Sequence, residues 1–406
     1  MALIAPLLLG CGSGSGGAGG AGGSAGAGGS GGATQVACVQ IAVGGDHTCL
    51  RTGDGALYCY GRNDSGQVGS GAAGAPVLTP EHVLDSVDDV VLGGEHTCAV
   101  LHDGTVRCWG RNDSGQCGTG NTTSPILMPT EVSGLGAGVA RVSAGTLFSC
   151  ARKHDGTVWC WGQDRFGEVG TVTSMSCAVW PCVPSAVQLA GLTVGANRVF
   201  SGYTHSCIDS ADGHLRCWGA DDAGELGDGQ VNTTGGSPTP LVAGDGTLGG
   251  LAASAGGYFT CAVKNANGSL WCWGQNAYGQ AGIGSMATPI LTPAQVNIPG
   301  NVTVVGLGGS HACAATTASV WCWGFNLMGE LGIGSHGNSP TPVKVGGLDS
   351  NGVASQFVVG LSLRGETSCA ITSGGTIFCW GDNTYGQLGL GDKMSRLTPT
   401  KLPICF

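Results

Sequence analysis

Seven times along this chain a cysteine is followed 9 to 11 residues later by another, and the second opens a Cys-aromatic-Gly tripeptide with Gly-Gln or Gly-Glu close behind. The pairs are Cys49 and Cys59, Cys98 and Cys108, Cys150 and Cys160, Cys207 and Cys217, Cys261 and Cys272, Cys313 and Cys322, and Cys369 and Cys379. Successive first cysteines lie 49 to 57 residues apart. A period near 50 means that each unit is one supersecondary element that buries its apolar face only by stacking on its neighbours, as in solenoids and propellers.

The clearest unit runs Gly93, Gly94, Glu95, His96, Thr97, Cys98, breaks at His102, Asp103 and Gly104, and resumes through Val106, Arg107, Cys108, Trp109 and Gly110. This is the pattern of a β-hairpin with Gly104 in the left-handed region, which sets the two cysteines opposite one another on adjacent strands. The fifth unit has one residue more at the turn and the sixth one fewer, yet both keep cysteines on either side. That behaviour suits cross-strand disulfides, whereas the spacing does not fit the Cys-x-x-Cys of zinc sites or redox dithiols. After each hairpin comes a turn such as Asn112, Asp113, Ser114, Gly115, Gln116, Cys117, Gly118, whose sixth residue elsewhere is a small or branched aliphatic. Cys117 is therefore expected to be a buried, inert thiol.

The Gly-Gly-x-His-Thr-Cys strand, the Cys-Trp-Gly strand and the Asn-x-x-Gly-Gln-Leu-Gly turn together resemble the repeat of the regulator of chromosome condensation family. The resemblance covers about residues 36 to 404 and implies an all-β, seven-bladed β-propeller; the kelch propeller, with a similar period and a Gly-Gly doublet, is the alternative architecture. Where cytoplasmic members of the family generally carry aliphatic residues, this chain carries its cysteine pairs. That departure is expected of an oxidising compartment.

The N-terminus suggests a route there. Met1 to Gly10 is apolar and ends Leu8, Leu9, Gly10, Cys11, which looks like the lipobox of a bacterial lipoprotein with Cys11 as the acylated residue. A secretory leader ordinarily begins with Lys or Arg, and this run has neither. Residues 12–35 are almost entirely Gly, Ser and Ala, a flexible tether reaching on the order of 25 Å. The expected domains are thus a signal peptide and lipobox (1–11), a linker (12–35) and a propeller (36–406). Gly12, in place of the Asp that commonly retains lipoproteins at the inner membrane, favours the outer membrane or cell surface.

Among the remaining cysteines, Cys177 and Cys182 lie in an insertion, Thr171 to Pro184, and are expected to close a small loop presenting Trp180. Cys38 and Cys405 flank the propeller, whose ends meet, so a bridge between them would fasten the ring. Tyr60 and the Trp after each other second cysteine, at 109, 161, 218, 273, 323 and 380, are expected to pack between blades. Histidines recur at 47, 96, 205 and 311, but Phe148, Phe259 and Thr367 hold the same position, so a structural role is expected and no metal site.

Gly-x-Ser-x-Gly occurs only within the Gly/Ser/Ala linker, at Gly22 to Gly26 and Gly28 to Gly32, where there is no strand or helix pattern to form a nucleophile elbow; no His-Glu-x-x-His or phosphate-loop pattern occurs, and no cofactor is implied. Net charge is −10 with 16 Lys and Arg, which lacks the electrostatic footprint of a nucleic-acid binder. The function expected is an extracytoplasmic, membrane-tethered interaction module gripping a protein or glycan through face loops, especially the Trp180 insertion and Gly227 to Gly246. The alternatives are an enzyme with residues in the central channel, or guanine-nucleotide exchange, the activity best known in the family. Carboxylates or histidines converging at the channel mouth would favour chemistry; an apolar patch around Trp180 would favour binding.

Overall fold

The computed structural model describes residues 36–171, 175–177, 180–244, 246, 248, 253–264, 267–349 and 357–403. Cys11, the linker and Cys405 lie outside them, so the lipid anchor and the Cys38–Cys405 bridge have no structural counterpart among the described residues.

Each repeat folds into one antiparallel sheet. In the first, β1 (Cys38–Val43), β2 (His47–Thr52), β3 (Leu57–Asn63) and β4 (Gly74–Leu84) lie in that order. Six more sheets repeat the arrangement, giving seven blades; the third gains a short fifth strand, Met175–Ser176, on its outer edge. The first strands of all seven contribute to the wall of a central channel. Fold and blade number are as the family resemblance implies.

The cysteines pair within each blade. Cys98 sits opposite Cys108 in the register of the second and third strands, and the six equivalent pairs do the same. The seven disulfides have Cα–Cα distances of 4.0–4.2 Å. Every one of these cysteines is fully buried, so the staples occupy core positions. Cys177 pairs with Cys182, and Cys117 is buried without a disulfide, its thiol donating to Arg111 O. Gly104, at φ +77°, supplies the left-handed residue of its hairpin.

Six of the repeated aromatics hold neighbouring blades together by a specific bond. The indole N–H of Trp109, Trp161, Trp218, Trp273, Trp323 and Trp380 donates to the backbone carbonyl of Gln67, Gln116, Glu168, Glu225, Gln280 and Glu330 in the preceding blade, at 2.7–3.0 Å. All six rings are fully buried. A glycine lies against most of them because a Cβ there would strike the ring: at Gly69 it would lie 2.5 Å from Trp109 Nε1.

The histidines complete the same seams. His47, His96, His205 and His311 each place Nε2 2.8–2.9 Å from the hydroxyl of Thr97, Ser149, Thr260 or Ser368 in the next blade. Each hydroxyl donates in turn to the Gln or Glu carbonyl that the tryptophan uses. The imidazole must therefore carry its proton on Nε2 and donate. Burial lowers all four to about 3, so the rings stay neutral. Phenylalanine replaces histidine where this partner is missing: the blade after Phe259 offers Ala312, and the blade after Phe148 offers Ser206, whose hydroxyl is engaged by Ser201.

Among the described residues no strand is shared between the last blade and the first, since every sheet is built from consecutive strands, and the seam between them is held by packing and hydrogen bonds. At that seam Tyr60 stands where the other blades have Trp, and Thr48 donates to Gln387 O at 2.8 Å. Cys38 is buried in this seam with Ile41, Ile371, Ile377 and Leu402.

Candidate interaction face

The loops joining first to second strands and those joining third to fourth strands open on the same face. This follows from register: Gly110, at the end of a third strand, pairs with His96, at the start of a second. The Trp180 insertion is a loop of this second kind, whereas of the 227–246 segment only the stretch before Asn232 is: Asn232–Val242 forms the fourth strand of the fourth blade, so the expectation of one long face loop there is corrected.

The repeated turn beside each third strand is a hydrogen-bonded cassette. The Asn or Asp that opens it accepts, through Oδ1, the backbone N–H five residues on, at 2.9–3.2 Å in all seven blades. The Gln or Glu accepts the N–H two residues back at 2.7–2.9 Å. The Asn amide also donates outward. Asn112 Nδ2 reaches Asn121 O and Thr123 O, Asn276 reaches Ser285 O and Ala287 O, and Asn326 and Asn383 do the same to their own loops. Each loop is thereby pinned to one course.

Blades three and four break this pattern. Asp164 and Asp221 keep the acceptor but have no amide to donate, and these are the blades with the two divergent loops. Their carboxyls, together with Glu168, Glu225 and Glu330, are raised by burial: Asp164 and Asp221 to about 6, Glu168 and Glu330 to about 7, Glu225 to about 8. Because Gln fills the same position in four other blades and takes the same N–H, the raised glutamates are structural.

Around the channel mouth the face is divided. On blades one and two, Arg62 Nη1 lies 3.2 Å from both Asp46 and Glu95, and Arg111 pairs with Glu95 at 3.5 Å and Asp113 at 2.7 Å. Carboxylates therefore do meet at the mouth, a convergence the scattered Asp and Glu of the sequence do not suggest. Arginine separates them, so they form an ion-pair network. Blades three, five and six expose apolar and aromatic side chains on this face, with the exposed Asp222 of blade four between them. Tyr258, Tyr278, Leu327 and Trp180 are exposed, Tyr278 meets Phe325 edge-on at 5.0 Å, and the Arg165 guanidinium sits 3.7 Å from the centre of the Trp180 ring. Trp180 is 41% exposed.

Two further residues reach into the mouth: Arg364 and Tyr203. The mouth is a cavity of about 440 Å³ and continues into a channel of about 260 Å³; both residues line both. Arg364 stands where the other blades have the first glycine of their doublet, and Tyr203 where most have the second. The signal that marks them in the sequence is therefore a broken Gly-Gly.

The RCC1-like domain matches residues 7–363, and a further RCC1 repeat matches residues 374–405. The chain belongs to the RCC1-like family. The RCC1-like chain is 28% identical over 277 residues to the RCC1 domain-containing mitochondrial protein RUG3 of Arabidopsis thaliana, covering 64% of this chain and 58% of that protein. It is also 28% identical over 277 residues to the Arabidopsis ultraviolet-B receptor UVR8, covering 67% and 60%. The matches thus span about three-fifths of these relatives. Among solved structures, human WBSCR16 superposes with a TM-score of 0.77 at 21% identity, covering 86% of this chain and 95% of that one. Prp20p of Saccharomyces cerevisiae gives 0.70 at 17%, covering 81% and 80%. Both likenesses concern the fold.

Proposed function

We propose that this RCC1-like propeller is a non-enzymatic, extracytoplasmic interaction module, tethered through Cys11 and residues 12–35, that binds a protein or glycan partner through its loop face. The observation that carries the reading is the division of that face. The two blades whose pinning amide is lost present divergent loops, and exposed Trp180, Tyr258, Tyr278 and Leu327 lie on the half without the ion-pair network. Half-exposed aromatics on a rigid scaffold supply contact area at small entropic cost, and Trp and Tyr dominate binding energy where they are buried by a partner.

The compartment is supported by the disulfides: seven buried staples in a core of modest side chains suit an environment in which they persist. Exchange-factor activity, which family membership brings to mind, would require a cytosolic partner and is not adopted. The test is capture from native envelope fractions by the full chain, compared with Trp180→Ala. A partner retained by the wild type and weakened about tenfold or more by the variant is expected. A set of retained species indifferent to the variant, or none, contradicts the reading.

A further inference from the structure

We infer that Arg364 is the receptor of a carboxylate-binding site inside the channel mouth. Its presence there is a coupled change. In the other six blades the equivalent glycine cannot carry a side chain: a Cβ would lie 2.5 Å from the His47 ring at Gly44, 2.0 Å from His96 at Gly93 and 1.9 Å from Phe148 at Gly145. Only the seventh blade places a small residue, Thr367, at that aromatic position, and only there does the glycine become arginine. Thr367 turns its hydroxyl to Asp382 O at 3.2 Å and leaves the space to Arg364.

The arginine then crosses the channel. Nη1 donates to Ala144 O, 220 residues away on the third blade, at 2.9 Å. Tyr203, from the fourth blade, comes over from another side, its ring centre 5.4 Å from the guanidinium. Arg364 is only 8% exposed, yet Nε and Nη2 have no hydrogen-bond partner, and none of the ion pairs among the described residues includes it. The nearby carboxylates Asp46 and Glu95 are already held by Arg62 and Arg111.

A buried charge with no counter-ion and with two of its three nitrogens lacking a hydrogen bond is unfavourable unless something completes it. The two buried, unpaired donors define what that is. Nε and Nη2 form the side-on edge of the guanidinium, two parallel N–H groups whose spacing matches the two oxygens of a carboxylate. Nη1, bonded to Ala144 O, fixes the plane of this fork, and the adjoining cavity leaves room for a small acid or for a side chain carried on a backbone. The site needs no metal or bond-making step.

The experiment is calorimetric titration of the full chain with sodium acetate and, separately, with N-acetyl-aspartate amide, chloride serving as the ionic-strength control. At least one carboxylate binds saturably, and affinity falls at least tenfold in both Arg364→Met and Arg364→Lys, the lysine keeping the charge but losing the fork. Acetate alone binding marks a small-molecule site; the aspartate amide binding marks one that takes a partner's side chain. Arg364→Met removes an uncompensated buried charge, so its melting temperature in carboxylate-free buffer stays at or above that of the wild type, which confirms that the variant folds. Trp180→Ala binds the probe normally, which separates this site from the partner face. No saturable carboxylate binding to the wild type, unchanged binding in Arg364→Met, or binding of inorganic phosphate in preference to both carboxylates overturns the assignment.

Discussion

At the scale of the residue, one turn position shows how the same geometry tolerates two chemistries at different pH. Glu225 accepts Ala223 N through Oε2 at 2.8 Å, but its Oε1 has no partner, and burial raises its carboxyl from 4.5 to about 8. The folded state thus holds this proton more tightly than the unfolded chain does. The resulting contribution to stability is full below about 4.5 and is lost as pH rises through 8. Glu225→Gln, which copies the residue of blades one, two, five and seven, keeps the acceptor and removes the titration. Chemical denaturation should find the variant more stable than wild type by on the order of 4 kcal/mol at pH 8, with the difference vanishing near pH 4. An equal difference at both pH values would show that the carboxyl is not held protonated. His96 has the opposite dependence. Its ring is held neutral, so what it contributes is present above 6.5 and lost as pH falls through 3.

At the scale of the element, the loops are governed by one amide. Asn112→Asp keeps the bond to Cys117 N and loses those to Asn121 O and Thr123 O. Amide exchange across residues 119–124 should quicken at least tenfold, with a global loss of about 1–2 kcal/mol, while the hairpin of Cys98 and Cys108 stays protected. Unchanged exchange would mean that the loop is held by its own turns. Hairpins and cassettes are legible from sequence because each is local: a turn, two flanking cysteines and a five-residue side-chain bond are all set within a few residues. The histidine seam is legible only when residues about 50 positions apart are read together, since His96 depends on Ser149 and Phe259 on Ala312. The channel mouth is harder still. Arg364 and Ala144 meet because a ring brings the seventh blade round to the third, and no local pattern encodes that distance. What the sequence does carry is the paired exception, Arg364 for Gly with Thr367 for His or Phe.

At the scale of the whole molecule, stability and location rest on the same atoms. Among the described residues no strand of the last blade completes the first, so closure depends on packing and on the Thr48 hydrogen bond at a seam where Tyr60 stands in for a tryptophan. Each blade must then be rigid by itself. A disulfide closing a loop of about ten residues supplies roughly 2–3 kcal/mol in the chain-entropy model, applied here seven times in a chain with only 6% aromatic residues. On the proposed reading, the same staples form and persist in an oxidising compartment, and so tie fold to function. Peptide mapping of the natively expressed protein, alkylated without reduction and digested with trypsin, tests this directly. Arg51, Arg107, Arg152, Arg216 and Lys264 fall between the cysteines of five pairs, so trypsin separates those cysteines unless sulfur joins them. Linked peptides are predicted for Cys49–Cys59, Cys98–Cys108, Cys150–Cys160, Cys207–Cys217 and Cys261–Cys272, with the remaining two pairs unalkylated within single peptides; alkylated thiols at these positions would contradict the account.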